Sequence, residues 1–218
     1  MCSIDKTKYF EELLSFVVGD KAKEEARRIL SAFASTSDIA SSSSDILRNL
    51  SGCSEQSAEF ISLIAAVSSR RVTDEFKQGR KYSESEIEKY VCALLFHLSV
   101  ESVYMLSFNQ SGKLIGTDLL TEGTVNSSAF LPRKMADIAL RRKASSVILA
   151  HNHPSGNPLP SENDVSVTLL AESVLRDAHV KLEAHYITVG FTIHDCLSDV
   201  KAMLEMKENV SKVNPTAK

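Results

Sequence analysis

The chain has 218 residues, 43% of them hydrophobic, which is enough for one large or two small domains with a real core. Its net charge of -3 gives no global attraction to nucleic acid or to an anionic membrane. The four cysteines have no C-x-x-C spacing, the N-terminus is charged, and no apolar run approaches the ~18 residues that span a bilayer. We therefore expect a soluble cytoplasmic protein with reduced thiols and no membrane partner.

Residues 6–71 have the apolar spacing of helices and no strand-like alternation. The first amphipathic helix is expected to end at Gly19, and Asp20 can cap the second. A run of four serines then predicts a loop before a short helix, and Ser54 is a good N-cap for a longer one. These patterns predict a small all-helical domain over residues 1–82.

The connection to the second half is rich in positive charge. Its basic residues are Arg70, Arg71, Lys77, Arg80 and Lys81, and they outnumber the acidic ones. Such a run is more often a solvated linker than a nucleic-acid contact. Ser83 and Glu86 then form a Ser-x-x-Glu capping box, which opens a helix running to about Leu98.

Residues 83–209 alternate strand-like runs with helical ones, which predicts an α/β (α+β) domain with a mixed, mostly antiparallel sheet flanked by helices. Strands are expected near residues 102–108, 113–120, 144–150, 180–189 and 191–194. Pro132 fits the first turn of a helix, and Asp195 can cap a final helix that reaches about Asn209. Residues 210–218 are expected to form a frayed tail.

The most informative stretch begins at the end of the third expected strand. Because side chains two apart in extended backbone point the same way, His151 and His153 converge while Asn152 faces away. A proline-rich loop follows, and Asp164 then falls in the first turn of a helix that Ser161 would cap. Ser-x-x-Asp alone is an ordinary capping box. With His-x-His upstream, ligation is favoured, because two imidazoles and a carboxylate are the ligands of an open catalytic zinc site.

His-x-His, ten intervening residues and Asp, with Ser three residues before that Asp, resembles the JAMM motif of the JAB/MPN metalloprotease superfamily. The full string over residues 151–164, with segments 122–128 and 132–133, resembles the RadC-like branch, over roughly residues 99–194. The resemblance implies a JAB/MPN-like fold for residues 83–209 and Zn²⁺ as the cofactor. The metal ligands that it implies are His151, His153 and Asp164.

The resemblance also implies a chemistry, zinc-dependent hydrolysis of a peptide or isopeptide-linked protein substrate. It places the general base at Glu101, before the first strand; Glu122, after the second strand, is the weaker rival. Zinc would lower the pKa of a bound water to about 7, and Glu101 would take its proton. Ser161 is either a donor to the developing oxyanion or only the helix cap.

The first half resembles the helix-hairpin-helix module that usually precedes this catalytic domain. Such hairpins use glycines so that backbone amides can approach a phosphate. Here Gly52 remains, but Ser54 stands where a second glycine is expected. The alternative function is therefore a DNA-associated repair or processing accessory protein, in which this module binds DNA weakly and the zinc site is secondary. A helical packing module is favoured over DNA binding.

The sequence departs from the family in the strand after the metal helix, where Asp-His is typical and Ala184 precedes His185. If the missing carboxylate orients a neighbouring contact, its loss would loosen the site. His185 itself is expected to be a strand histidine satisfied by backbone, with a contact to a metal ligand as the alternative. His97, His179 and His194 have no partner pattern and are assigned no role. A non-catalytic scaffold is disfavoured, because the full motif is present.

Overall fold

The computed structural model describes residues 6–96, 98–123 and 130–213. The helices of these residues are α1 (Lys6–Val18), α2 (Ala22–Ala32), α3 (Thr36–Ser41), α4 (Ser44–Ser51), α5 (Glu55–Glu75), α6 (Glu84–Leu95), α7 (Phe130–Arg142), α8 (Glu162–Asp177) and α9 (Cys196–Val213). The strands are β1 (Ser102–Phe108), β2 (Leu114–Glu122), β3 (Ser146–Asn152), β4 (Lys181–Val189) and β5 (Thr192–Asp195). Predictions that concern His97, residues 124–129 or the two chain ends lie outside the described residues.

The first five helices surround one apolar core. Its buried residues are Leu14, Ala22, Ala26, Ile29, Ile39, Leu47, Cys53, Ala58 and Ile61. Gly52 ends α4 with φ +66, and the hydroxyl of Ser54 accepts from Ser57 N at 3.3 Å to cap α5, as the sequence predicts. One local expectation is wrong: Asp20 lies in a 3₁₀ turn and does not cap α2. An additional helix, α3, is capped by Ser35 and ends at Ser41, and Ser42 and Ser43 form the expected connection to the short helix α4.

The sheet has the strand order β2-β1-β3-β4-β5. Among the strands of the described residues, the β3–β4 pair is parallel, and the β1–β2, β1–β3 and β4–β5 pairs are antiparallel. A parallel pair needs a long crossover connection, and α8 supplies it. The prediction of a mixed, mostly antiparallel sheet flanked by helices is confirmed.

Strand alternation divides the sheet residues between two apolar layers. One face packs against α7, α8 and the start of α9, and it includes Met105 and Leu149. The other face packs against α6 and includes Leu106 and Ile148. The sheet is therefore sandwiched between helices, and residues of opposite parity in one strand meet different helices.

Several bounds differ from those expected, among them those of β3, α6 and α9. β3 continues to Asn152, because Val103 of β1 and Ile187 of β4 flank His151 on both sides. α6 ends at Leu95, before the expected end, whereas α9 continues to Val213. Among the helices described, none combines the length and apolar character that crossing a membrane requires.

Candidate metal centre

The candidate site lies where β3 ends and α8 begins. His151 is the penultimate residue of β3, His153 follows the strand, and Asp164 is the third residue of α8. The loop between them joins the first two elements of a β3–α8–β4 crossover unit. In such units the C-terminal end of the strand and the N-terminus of the helix face the same edge of the sheet, where ligands commonly bind.

Three potential ligand atoms converge at this edge. Nε2 of His151 lies 3.2 Å from Oδ1 of Asp164, and Nε2 of His153 lies 3.4 Å from Oδ2. The two Nε2 atoms are 2.9 Å apart. Among the residues that the structure describes, this is the His/Cys/Asp/Glu group whose ligand atoms all fall within 4.8 Å of one another. His151 and Asp164 are buried and His153 is half-buried, so the three potential ligand atoms face one another with little access to water. That donor set fits a cation.

Asp164 serves the helix and the cluster at once. Its Oδ2 accepts from the backbone N–H of Ser161 at 2.7 Å and from the hydroxyl of Ser161 at 2.6 Å, completing a capping box. Oδ1 faces His151. Burial raises the pKa of Asp164, but hydrogen bonds from Ser161, and from Nε2–H of His151 when no metal occupies the cluster and that nitrogen is protonated, outweigh burial and hold the pKa well below its usual range. Capping and a place in the cluster are therefore compatible.

Each histidine of the cluster is oriented through its other ring nitrogen. Nδ1 of His153 lies 2.7 Å from the carbonyl oxygen of Asn157 in the loop. Nδ1 of His151 lies 3.0 Å from Nε2 of His185. Histidines that bind metals usually donate the second ring N–H to such a partner, which fixes the tautomer and the ring orientation.

For His185 the structure supports the alternative, a contact to a proposed metal ligand, over the favoured interpretation of a histidine satisfied by backbone. Its ring contacts two side chains, His151 and Thr168, so the histidine is not satisfied by backbone alone. Burial lowers its pKa to about 3, with a smaller contribution from His151, so the ring is neutral. In the β3–β4 register His185 lies beside Leu149, on the face of the sheet that packs against α8. The alternation of side chains along β4 could have indicated this face, but only if the pairing of β4 with β3 were known.

The two candidate bases differ in the face of the sheet to which they belong. β1 and β3 pair so that Val103 lies opposite His151, and continuing this register by two residues places Glu101 opposite His153. Opposed residues share a face, so this continuation beyond the paired residues would assign Glu101 to the face of the histidines. Glu122 pairs with Ser102, whose parity assigns it to the other face. Glu101 lies outside the three-residue cluster, as suits a base rather than a ligand.

Asn152 faces away from the cluster, as its parity predicts, and has a contact that the sequence did not reveal. Its Oδ1 accepts from the N–H of Ser102 at 2.9 Å. Its Nδ2 donates to the carbonyl oxygens of Leu98 at 3.0 Å and Val100 at 3.1 Å. The side chain therefore bonds to the residues on both sides of Glu101.

The structure shows where Ala184, which replaces the aspartate typical of the family, lies relative to the cluster. Ala184 is buried in the layer against α6, with Tyr90 and Tyr186, on the opposite face from His185. A side chain at this position does not reach the His/His/Asp cluster. The expectation that alanine here would loosen the site is not supported by this geometry.

The fold and the cluster define a class of protein: a three-layer α/β domain with a His/His/Asp metal-type site at the end of a parallel strand. The family model that describes the RadC-like JAB domain matches residues 82–198, more than half of the chain. The chain therefore belongs to the RadC-like JAB domain family, within the JAB/MPN superfamily.

The curated relatives agree with this assignment. A UPF0758 protein of Janthinobacterium sp. (strain Marseille) is 29% identical over 179 residues, 82% of this chain and 80% of the relative. A UPF0758 protein of Caldanaerobacter subterraneus subsp. tengcongensis is 32% identical over 165 residues, 72% of this chain and 70% of the relative. One from Finegoldia magna is 29% identical over 203 residues, 88% and 87% of the two chains. These names state no activity.

Proposed function

We propose that the protein is a Zn²⁺-dependent hydrolase that cleaves a peptide or isopeptide bond. The observation that carries the proposal is the convergence of two imidazole Nε2 atoms and one carboxylate at distances of 2.9 to 3.4 Å. Three protein ligands with an open fourth position are typical of catalytic zinc, whereas structural zinc is closed by four. When bound, zinc would supply a water of lowered pKa and polarise the substrate carbonyl.

The protein's own residues would manage the proton and the geometry. Glu101, which the continued β1–β3 register would assign to the face of the histidines, is proposed to take a proton from the attacking water and return it to the leaving nitrogen. Asp164 stays ionised because of its low pKa, and its place in the first turn of α8 is favourable for a negative charge. The hydroxyl of Ser161 is engaged by Asp164, so a role as oxyanion donor would require it to leave that bond.

Metal content tests the proposal directly. We expect protein purified without chelator to hold about one zinc per chain, and the His151→Ala and Asp164→Ala variants to hold almost none, because two ligands bind zinc far more weakly than three. Elemental analysis gives the stoichiometry. His194→Gln is the control, since this histidine bonds to Asp199 outside the cluster and its variant should keep the zinc. Wild-type protein free of zinc would contradict the proposal.

The rate of peptide hydrolysis tests whether Glu101 acts as the general base. The probes are a mixture of fluorescence-quenched peptides and peptides branched through lysine side chains. Glu101→Gln should keep the zinc and lose about 10²- to 10⁴-fold in rate, because it cannot accept the proton. Glu122→Gln, on the other face of the sheet, is the matched control and should keep the rate. A loss in the Glu122 variant with none in the Glu101 variant would reverse the assignment.

A further inference from the structure

A buried row of three side chains connects the middle of α8 to the metal cluster. Oγ1 of Thr168 lies 2.6 Å from Nδ1 of His185, and Nε2 of His185 lies 3.0 Å from Nδ1 of His151. The three residues are 0%, 2% and 1% exposed, so water does not compete for these bonds. Thr168 is one helical turn beyond Asp164, and the helix that supplies a ligand therefore also anchors the row.

One carbonyl group determines which atom donates in each hydrogen bond of the row. The hydroxyl of Thr168 donates to the backbone oxygen of Asp164 at 2.6 Å, and a carbonyl oxygen can only accept. The single hydroxyl proton is thus committed, and Oγ1 must accept from Nδ1–H of His185. His185 is 2% exposed, and burying a charged ring is far more costly than burying a neutral one, so its Nε2 is bare and can only accept from Nδ1–H of His151.

We propose that Thr168 and His185 are positioning residues that hold the proton of His151 on Nδ1, so that Nε2 presents a lone pair to the metal. This inference rests on the proposed metal site. Without the row, the ring of His151 could carry its proton on Nε2 or turn away from Asp164, and either change would remove a ligand. Partners of this kind typically change metal affinity by about 10- to 100-fold.

A matched pair of substitutions separates the hydroxyl from packing. Thr168→Val keeps the shape and removes the oxygen, whereas Thr168→Ser keeps the oxygen and removes a methyl group. Zinc affinity of the full chain is measured by competition with a chromophoric chelator, and thermal unfolding of the metal-free proteins is measured beside it. We expect the valine variant to bind zinc about 10- to 100-fold more weakly and the serine variant to stay within about threefold of wild type. If the valine variant does not fold, Thr168→Ala replaces it.

Equal zinc affinity in the valine variant and the wild type would overturn the proposal. So would an equal loss in the serine variant, because the methyl group rather than the hydroxyl would then matter. His194→Gln, which removes a histidine outside the row, should leave the affinity unchanged; a similar loss there would mean that the effect is general.

A second readout does not depend on the metal. Long-range proton–nitrogen correlation spectra of the metal-free protein show whether Nδ1 of His151 carries a proton. We expect a protonated Nδ1 in wild type and in Thr168→Ser, and a mixture of tautomers in Thr168→Val. An unprotonated Nδ1 of His151 in the wild type would overturn the proposed donation from His151 to His185. If the wild type shows the expected tautomer but binds no zinc, the hydrogen bonds of the row are supported. The proposed hydrolase, and the role of the row in metal binding, would then be contradicted.

Discussion

Asn152 shows how one buried amide can hold the segment of a proposed base without belonging to the proposed metal cluster. It lies between the two histidines of the motif, yet its parity directs it to the opposite face of the sheet. Its three hydrogen bonds hold the backbone of Leu98, Val100 and Ser102, the stretch that contains Glu101. The side chain is 5% exposed, so water cannot replace these bonds. At the scale of the residue, Asn152 links the position of the proposed base to the strand that carries the proposed ligands.

The Asn152→Ala variant tests this link. We expect the free energy of unfolding to fall by about 2 to 3 kcal/mol, because the buried N–H of Ser102 and two carbonyl groups lose their partner. Urea titration gives the loss. Asn109→Ala is the matched control, since Asn109 also accepts from two backbone N–H groups, but in an exposed turn, and should cost about 1 kcal/mol or less. Equal losses would mean that the burial of the Asn152 bonds is unimportant.

At the scale of the element, the guanidinium of Arg142 joins the end of α7 to the edge strand β2, beside the contacts that Lys134 of α7 makes with the same strand. Both oxygens of Asp118 accept from Arg142, at 2.5 and 2.6 Å, and Nη1 of Arg142 also donates to the carbonyl oxygen of Ile115. A bidentate arginine–carboxylate pair is stronger and more directional than a single contact. The guanidinium crosses Gly116 so closely that an added Cβ would lie 2.2 Å from its atoms. Glycine in this strand is thus required by the arginine.

Whether Gly116→Ala lowers or raises the free energy of unfolding should therefore depend on Arg142. In the wild-type background we expect a loss of about 1 kcal/mol, because the methyl group displaces the guanidinium from Asp118. In an Arg142→Ala background the same change should be neutral or stabilise by about 0.5 kcal/mol, because glycine in a strand is unfavourable. Denaturant unfolding of the four proteins completes the cycle. The same loss in both backgrounds would exclude the arginine as its cause.

At the scale of the whole molecule, the question is whether the helical half serves as a DNA-binding module. The N–H of Ser54, where a phosphate would approach the start of α5, donates to the carboxylate of Glu25 at 3.2 Å, and the hydroxyl of Ser54 donates to it at 2.9 Å. The arginines of the connection are engaged as well: Arg70 with Asp74, Arg71 with Glu75, and Arg80 with Glu86. A carboxylate at the turn repels phosphate, so these contacts favour the packing role; DNA binding stays a prediction.

Fluorescence anisotropy with a labelled DNA duplex at low salt tests this choice. We expect no binding whose strength falls steeply with salt concentration, because Arg70, Arg71 and Arg80 are each paired with a carboxylate. A variant with Arg70, Arg71, Arg80 and Lys81 changed to glutamine should behave like wild type. Salt-sensitive binding by wild type that this variant loses would instead support the DNA-associated accessory function.

The sequence by itself determined the local features: the helix caps at Ser54, Ser83 and Ser161, the five strands, and the convergence of His151 and His153. These depend on hydrogen bonds and side-chain parity within a few residues, so a linear pattern contains them. Only the tertiary structure decided which distant groups meet. The bonds of His185 to His151, of Asn152 to Val100 and of Glu25 to Ser54 join residues 29 to 52 positions apart. They depend on strand register and helix packing, which no short-range pattern encodes.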